Sequence, residues 1–547
     1  MKKLKIVVVG AGAAGLFAAA ALKRNRPDCD VTVVHDPKTP HIGVGESVAW
    51  NGPHFMQVVL GLKDFSWVKE SKSAWKFAVK QSGFHEDDRS YVWSFPFNPS
   101  KRILHTSLWD SKYHHRTTKM SENPPSTMYD VWLHLKSKGL IDTVNPQQDT
   151  HELQWFAEQN KTVIQDDGQW VVSAYAGHSY HINSNYIKDV VHEKVGKPAG
   201  VKEIAVKLKN VVLTNDGAID YLLLDNDEKV YADLFIDATG LTRLLVSQMP
   251  FEFVHLDEYF NNSTLVGMHK FNDYEEHTNC TLLQGMDHGW RFSISMDNRS
   301  GEGYQFNSRI FNDEDKIVDE YYRKTGNTDV EFRKIKWTPG YFRDTLTKNC
   351  VALGLAHGFS DVFDANNFSS TLRQIEKLVE FLKADPEANF EWKEKYNRYV
   401  QGITDDVIFR IQCSFHLAPR NDTVYWQEMK EAAKKFNTRQ RLIDTVFDPK
   451  RKVVTSLDNP VSYIQHTWIN QCAFYEIPIH TDPRAIRADI DHETEQLALN
   501  WFKFFNAKNK IIANNSRTMG DFYKNVSPNI IVSSTGDNLS NYTDYLG

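Results

Sequence analysis

Residues 10 to 15, Gly10-Ala11-Gly12-Ala13-Ala14-Gly15, have the GxGxxG spacing that lets a backbone approach a pyrophosphate and aims a helix N-terminus at its charge. The chemistry this serves is the holding of a dinucleotide, with Gly10, Gly12, Ala13, Ala14 and Gly15 expected along the phosphates. The context is the required one. LKIVVV, residues 4 to 9, reads as a parallel strand buried on both faces, the alanine-rich stretch to about Lys23 as a helix, and VTVV, 31 to 34, as the next strand. An acid ending that strand ordinarily takes the ribose hydroxyls; here His35 intervenes, and Asp36 is the candidate.

The elements that position these residues form an α/β fold. YADLFIDATG, ending at Gly240, returns to a buried strand after a long middle region of strand-like pieces, the pattern of a β-sheet inserted into a nucleotide fold. Residues 369–384 have helical spacing, and from about 385 the chain reads as aromatic-rich helix. The division expected is 1–384 for the nucleotide module with its inserted sheet and 385–547 for a mostly helical capping region. With 547 residues, 41% apolar and 24% charged, the chain folds. A net charge of -6 without a basic run argues against a nucleic-acid surface, so a small-molecule ligand is expected. Five dispersed cysteines include no CxxC pair, which argues against a zinc or redox site and fits a reducing cytoplasm. The lysine-rich start imitates a signal peptide, but the glycines interrupt its apolar run, and no stretch approaches the roughly 20 apolar residues that span a bilayer.

Further segments carry a resemblance. Ala232–Gly240, with Asp237 and Gly240, resembles the late strand-turn that closes over FAD in flavoproteins of the glutathione-reductase type, and Gly354-Leu355-Ala356-His357-Gly358 resembles their late flavin loop without its usual polar residue. There is no second GxGxxG for NADPH. Residues 41–47, HIGVGES, are similar to a GxGE(A/S) loop, placing Gly43, Gly45, Glu46 and Ser47 at the cofactor. SAWKFAVK (73–80), SYHIN (179–183) and ADLFIDATGLTRLLV follow in matching order. Together, over most of residues 1 to 375, these resemble the flavin-dependent halogenases of the tryptophan-halogenase type.

That resemblance implies an FAD-binding fold of the glutathione-reductase type and an enzyme using reduced FAD, oxygen and a halide (chloride, bromide or iodide). The hypohalous acid formed passes by way of a lysine to an electron-rich small aromatic, an indole or phenol. The lysine is Lys76, with Lys80 its rival if the segment is helical; an ammonium hydrogen-bonding the oxidant and an amine forming a haloamine both remain open. Asp364 stands where the family has its catalytic glutamate, followed by Ala365, Asn366 and Asn367 at the halide positions. The WxWxIP motif is altered to Trp290-Arg291-Phe292-Ser293-Ile294-Ser295. Trp93 and Phe95 align with rings that sandwich the substrate, and Trp290 and Trp468 are further candidates. A separate NAD(P)H-dependent flavin reductase is implied as partner; self-association is left open. The altered motifs keep two alternatives in view, a flavin monooxygenase that inserts oxygen and an inactive FAD-binding regulatory protein.

Overall fold

Ile6 and Val8 of strand Lys5–Val9 pack into one apolar core beneath helix Ala13–Asn25, while Val7 and Val9 enter a second core on the other face. Such two-sided burial selects a β-branched run rather than an alternating one. The strand is central to a six-stranded sheet ordered Leu346–Thr347, Cys350–Ala352, Leu234–Asp237, Lys5–Val9, Asp30–Val34, Lys202–Ile204. All neighbours are parallel except the edge pair Leu346–Thr347 and Cys350–Ala352. The computed structural model describes residues 3–39, 43–49, 51–87, 89–94, 128–170, 178–386, 389–452, 462–486, 490 and 492–527.

Between the strands of this sheet the chain builds a seven-stranded sheet ordered Arg333–Lys336, Ser263–Lys270, Arg299–Phe306, Gly289–Ser295, Cys280–Gly285, Ala78–Ser82, Ser90–Ser94. A small antiparallel sheet places Ser179–Ile182 between Glu46–Ser47 and Ala74–Lys76. The chain passes from the small sheet to the large one at Phe77, whose N–H donates to the Asn279 carbonyl. Residues 74–82 are therefore extended, not helical, and Lys80 is exposed on the large sheet, which removes the register in which it competes with Lys76.

After Gly358–Phe359 every named element among the described residues is helical, led by Asn366–Ala384 and Lys393–His416. No helix there is long and apolar enough to cross a membrane. All five cysteines are free and buried.

Candidate active site

The three motif glycines divide their work. A Cβ on Gly15 would lie 1.9 Å from the Gly10 carbonyl oxygen, and one on Gly10, at φ +111°, 2.5 Å from the Ala238 carbonyl oxygen. These two allow the helix and the 237–240 turn to close on the first strand. Around Gly12 nothing stands within 4 Å of a Cβ position, nor around Gly240 at φ +65°. Helix Ala13–Asn25 starts at Gly12 without a side-chain cap. An uncapped helix start beside a backbone with open space fits a pyrophosphate.

Asp237 organises this region from within. Its Oδ1 accepts from Thr239 N and Oγ1, and its Oδ2 from Leu245 N and Val246 N. The expected cofactor contact is thus a buried carboxylate spent on holding the Gly240 turn. Asp36 is half-buried at the end of its strand, with Oδ1 accepting from Lys38 N. Arg299 donates to the carbonyls of Gly43 and Val44, clamping the loop that carries Gly45. Burial raises the Glu46 carboxyl to about 7.

Strand register decides what Lys76 touches. Ser47 and Ala74 both stand opposite His181, and Lys76, two residues beyond Ala74, points to the same face. Lys76, fully buried, donates from Nζ to Ser47 Oγ at 2.6 Å and to the Val48 carbonyl at 3.1 Å. The chain of bonds continues through Thr281 Oγ1, 2.7 Å from Ser47 Oγ, to His181 Nε2 at 2.8 Å. His181 Nδ1 lies 2.7 Å from the Ser295 carbonyl, which can only accept, so the ring proton is on Nδ1. Nε2 must then accept from Thr281, Thr281 from Ser47, and Ser47 from Lys76, so every bond runs one way. Burial pushes His181 down to about 3, with the positive Lys76 adding to it, and the ring stays neutral. Burial also lowers Lys76 to about 7, against the opposing pull of the Asp364 carboxylate.

Asp364 (φ +59°) and Ala365 (φ +60°) are consecutive left-handed residues immediately before helix Asn366–Ala384. Outside glycine this conformation is uncommon and costs energy. Arg410 of helix Lys393–His416, fully buried, donates from Nε to Asp364 Oδ2 at 3.1 Å. The turn is anchored from below by Asp361, whose Oδ2 accepts from Asn261 Nδ2 and from the Trp290 indole; burial raises this carboxyl to about 7.

The start of helix Asn366–Ala384 is a wall between two cavities. One, of about 490 Å³, is lined by Gly354, Leu355, Gly358, Asn367, Thr371 and Gln374. The other, of about 720 Å³, is lined by Ala49, Val79, Trp93, Asp364, Asn366 and Arg410 among others. Val79 and Trp93 are cross-strand partners, which brings both to it. Phe95 lies outside the described residues. Trp290 and Trp468 line neither cavity: Trp290 packs on Phe363 and Phe415, and Trp468 on Phe409 and Tyr463, each fully buried as a packing ring. The sequence reading missed Arg410 and Thr281, which no motif marks.

The family model for tryptophan halogenase matches residues 5–471. Tryptophan 7-halogenase RebH of Lentzea aerocolonigenes is 25% identical over 435 residues, 78% of this chain and 79% of its own length. The 7-chloro-L-tryptophan 6-halogenase KtzR of Kutzneria sp. (strain 744) is 24% identical over 437 residues, 78% and 81% of the two chains. Among solved structures, tryptophan 6-halogenase SttH from Streptomyces toxytricini superposes with a TM-score of 0.80 at 18% identity, covering 96% of this chain and 100% of that one. The VirX1 apo structure does so with 0.77 at 20% identity, covering 96% and 99%. With a parallel-sheet nucleotide fold, an open glycine turn and a family match across most of its length, this chain belongs to the tryptophan halogenase family of flavin-dependent enzymes.

Proposed function

We propose that this enzyme uses FAD, received in its reduced form from a separate NAD(P)H-dependent flavin reductase, with oxygen and a halide to halogenate a small electron-rich aromatic of the indole or phenol type. The residues present fit the cofactor: Gly12, Gly240 and the uncapped start of helix Ala13–Asn25 would take its phosphates, and the Gly354–Gly358 loop its flavin end. When bound, reduced FAD supplies, with oxygen and halide, hypohalous acid. Residues 1–384 are the module that holds it, and 385–547 the cap over the substrate.

The chain's own residues then deliver and contain that oxidant. Lys76, held by Ser47 and the Val48 carbonyl, presents its ammonium to hypohalous acid as a hydrogen-bond donor. Halogen passes to the ring carbon, the ring gives up its proton, and the oxidant's oxygen leaves as water. Asp364 stands in the cavity wall to accept that proton, oriented by Arg410. Ala365, Asn366 and Asn367, at the uncapped start of helix Asn366–Ala384, suit an anion and are assigned to the halide. The observation that carries the reading is a fully buried lysine, its ammonium lowered toward neutrality, within electrostatic reach of a carboxylate that lines the second cavity.

Purified protein with FAD, a flavin reductase, NADH, oxygen, bromide and a panel of indoles and phenols tests this by product mass. Brominated product is expected, and only with the reductase present. Products that gain oxygen whether or not bromide is present would establish the monooxygenase; flavin that binds without turnover under any halide would establish the inactive protein.

A further inference from the structure

The strand that carries Lys76 is short and lies at an edge. Ala74–Lys76 pairs with Ser179–Ile182 through three residues, and the small sheet ends there. Lys76 nevertheless reaches Ser47, which stands on the opposite edge strand of the same sheet, so the placing of its Nζ depends on how firmly the outer strand is held. A ladder of three residues is a weak hold by itself. On its outward side the N–H groups of Trp75 and Phe77, which strand alternation points the same way, need acceptors that the small sheet does not supply.

Both are met from outside that sheet. Trp75 N donates to Tyr523 Oη at 3.1 Å, and Phe77 N to the Asn279 carbonyl at 2.8 Å. Tyr523 belongs to the helical turn Phe522–Val526, 448 residues further along the chain than Trp75. Asn279 leads to the same segment, because its N–H donates to Asn160 Oδ1 and the Asn160 carbonyl accepts from Met519 N. The residues on either side of Lys76 are thus both tied to 519–523.

That segment is firmly seated. The Ser516 carbonyl accepts from Lys161 Nζ and the Arg517 carbonyl from Thr162 N. The buried Tyr523 ring stacks on His277 with centres 4.5 Å apart, and the two nitrogens of that imidazole face the Tyr274 and Asp297 carbonyls. On the strand's side, the Trp75 ring packs against Phe65, Trp170 and Tyr180. Tyr523 lines neither cavity, so its influence on the reaction runs through the Trp75 backbone.

We infer that Tyr523 is a positioning residue for halogen transfer: by fastening the outer edge of the Lys76 strand it fixes Nζ against Ser47, where the oxidant is received. The inference rests on the proposed role of Lys76, and its test reads the placing of the lysine separately from the reaction. Tyr523→Phe removes the hydroxyl and keeps the ring on His277. Halogenated product per flavin reoxidised should fall at least about tenfold, since misplacing a reacting group by roughly 1 Å costs up to about a hundredfold. FAD affinity and flavin reoxidation should hold. Burial lowers Lys76 to about 7, so a looser strand that admits water should move its titration upward. NMR of protein carrying isotope-labelled lysine reads that titration, the Lys76 signal being the one missing from Lys76→Arg. Tyr322→Phe is the control for lost stability: it removes a hydroxyl donated to the Val330 carbonyl beside helix Glu314–Thr325, and should change neither readout. An unmoved Lys76 titration in Tyr523→Phe overturns the inference, as does an equal loss of product in Tyr322→Phe. A moved titration in a protein that forms no halogenated product would contradict the reaction but not the positioning; undiminished halogenation by Tyr523→Phe would contradict the positioning but not the reaction.

Discussion

Lys76 donates to Ser47 Oγ across 2.6 Å at a point where both side chains are buried, and that bond is the first of three running in one direction to His181. Removing the middle hydroxyl with Thr281→Val leaves Ser47 without its acceptor and His181 Nε2 without its donor. The variant should lose about 1–3 kcal/mol of stability, the penalty for an unsatisfied buried polar group. Its halogenation should fall while flavin reoxidation holds, and Thr281→Ser should restore both stability and product. Denaturant unfolding and paired product and flavin assays check this; a Thr281→Val protein with normal product yield would show that Lys76 needs no such support.

The ionisation of Lys76 sets a pH dependence. Its ammonium is lowered to about 7, so the charged donor is present below that pH and is lost as pH rises through it. Product per flavin oxidised should therefore fall with rising pH, with a midpoint near 7. Asp364 favours the charged lysine, so Asp364→Asn should move the midpoint toward acid. A yield that climbs through pH 7 would identify the neutral amine as the working form.

Asp364 has a left-handed backbone, φ +59°, that asparagine tolerates far better than alanine. Asp364→Asn keeps the shape and loses the base, while Asp364→Ala loses both and adds backbone strain of about 1–3 kcal/mol. Residual halogenation should rank Asn above Ala, and thermal unfolding should rank them the same way. Equal residual activity would argue that side-chain shape and the left-handed backbone at this position are unimportant.

Gly12 and Gly15 should respond differently to the same methyl group. Gly15→Ala forces a Cβ to within 1.9 Å of the Gly10 carbonyl and should destabilise the fold, whereas Gly12→Ala meets nothing within 4 Å. The Gly12 variant should unfold at a normal temperature and yet bind FAD at least about tenfold more weakly, a loss of roughly 1.4 kcal/mol. Fluorescence titration of FAD separates the two; full FAD affinity in Gly12→Ala would place the pyrophosphate elsewhere.

Much of this was legible before the structure because it is local in sequence. The glycine turn and its flanking strands follow from short runs with a fixed pattern, whereas Lys76 is singled out over Lys80 by the family resemblance of SAWKFAVK. Arg410 is 46 residues beyond Asp364 on another helix, and Thr281 meets Ser47 only because two sheets are juxtaposed; neither leaves a trace in spacing. Trp290 and Trp468 show the opposite failure. Aromatic identity marks a ring that can stack on a substrate, but only packing reveals that Phe363, Phe415, Phe409 and Tyr463 already surround these two. Asp237 sits where a cofactor contact was expected, and its carboxylate is instead consumed by its own turn.

If Lys76 delivers an oxidant whose formation does not need it, halogenated product per flavin reoxidised in Lys76→Ala is the quantity that shows it. The substitution leaves the Gly10–Gly15 turn and the 237–240 turn untouched, so flavin reoxidation should continue at close to its normal rate. Product should fall by at least about a hundredfold, the lower end of what a positioned acid-base or electrostatic group contributes. Near-normal halogenation by Lys76→Ala, with flavin reoxidation likewise normal, would show that the oxidant reaches the ring without Lys76.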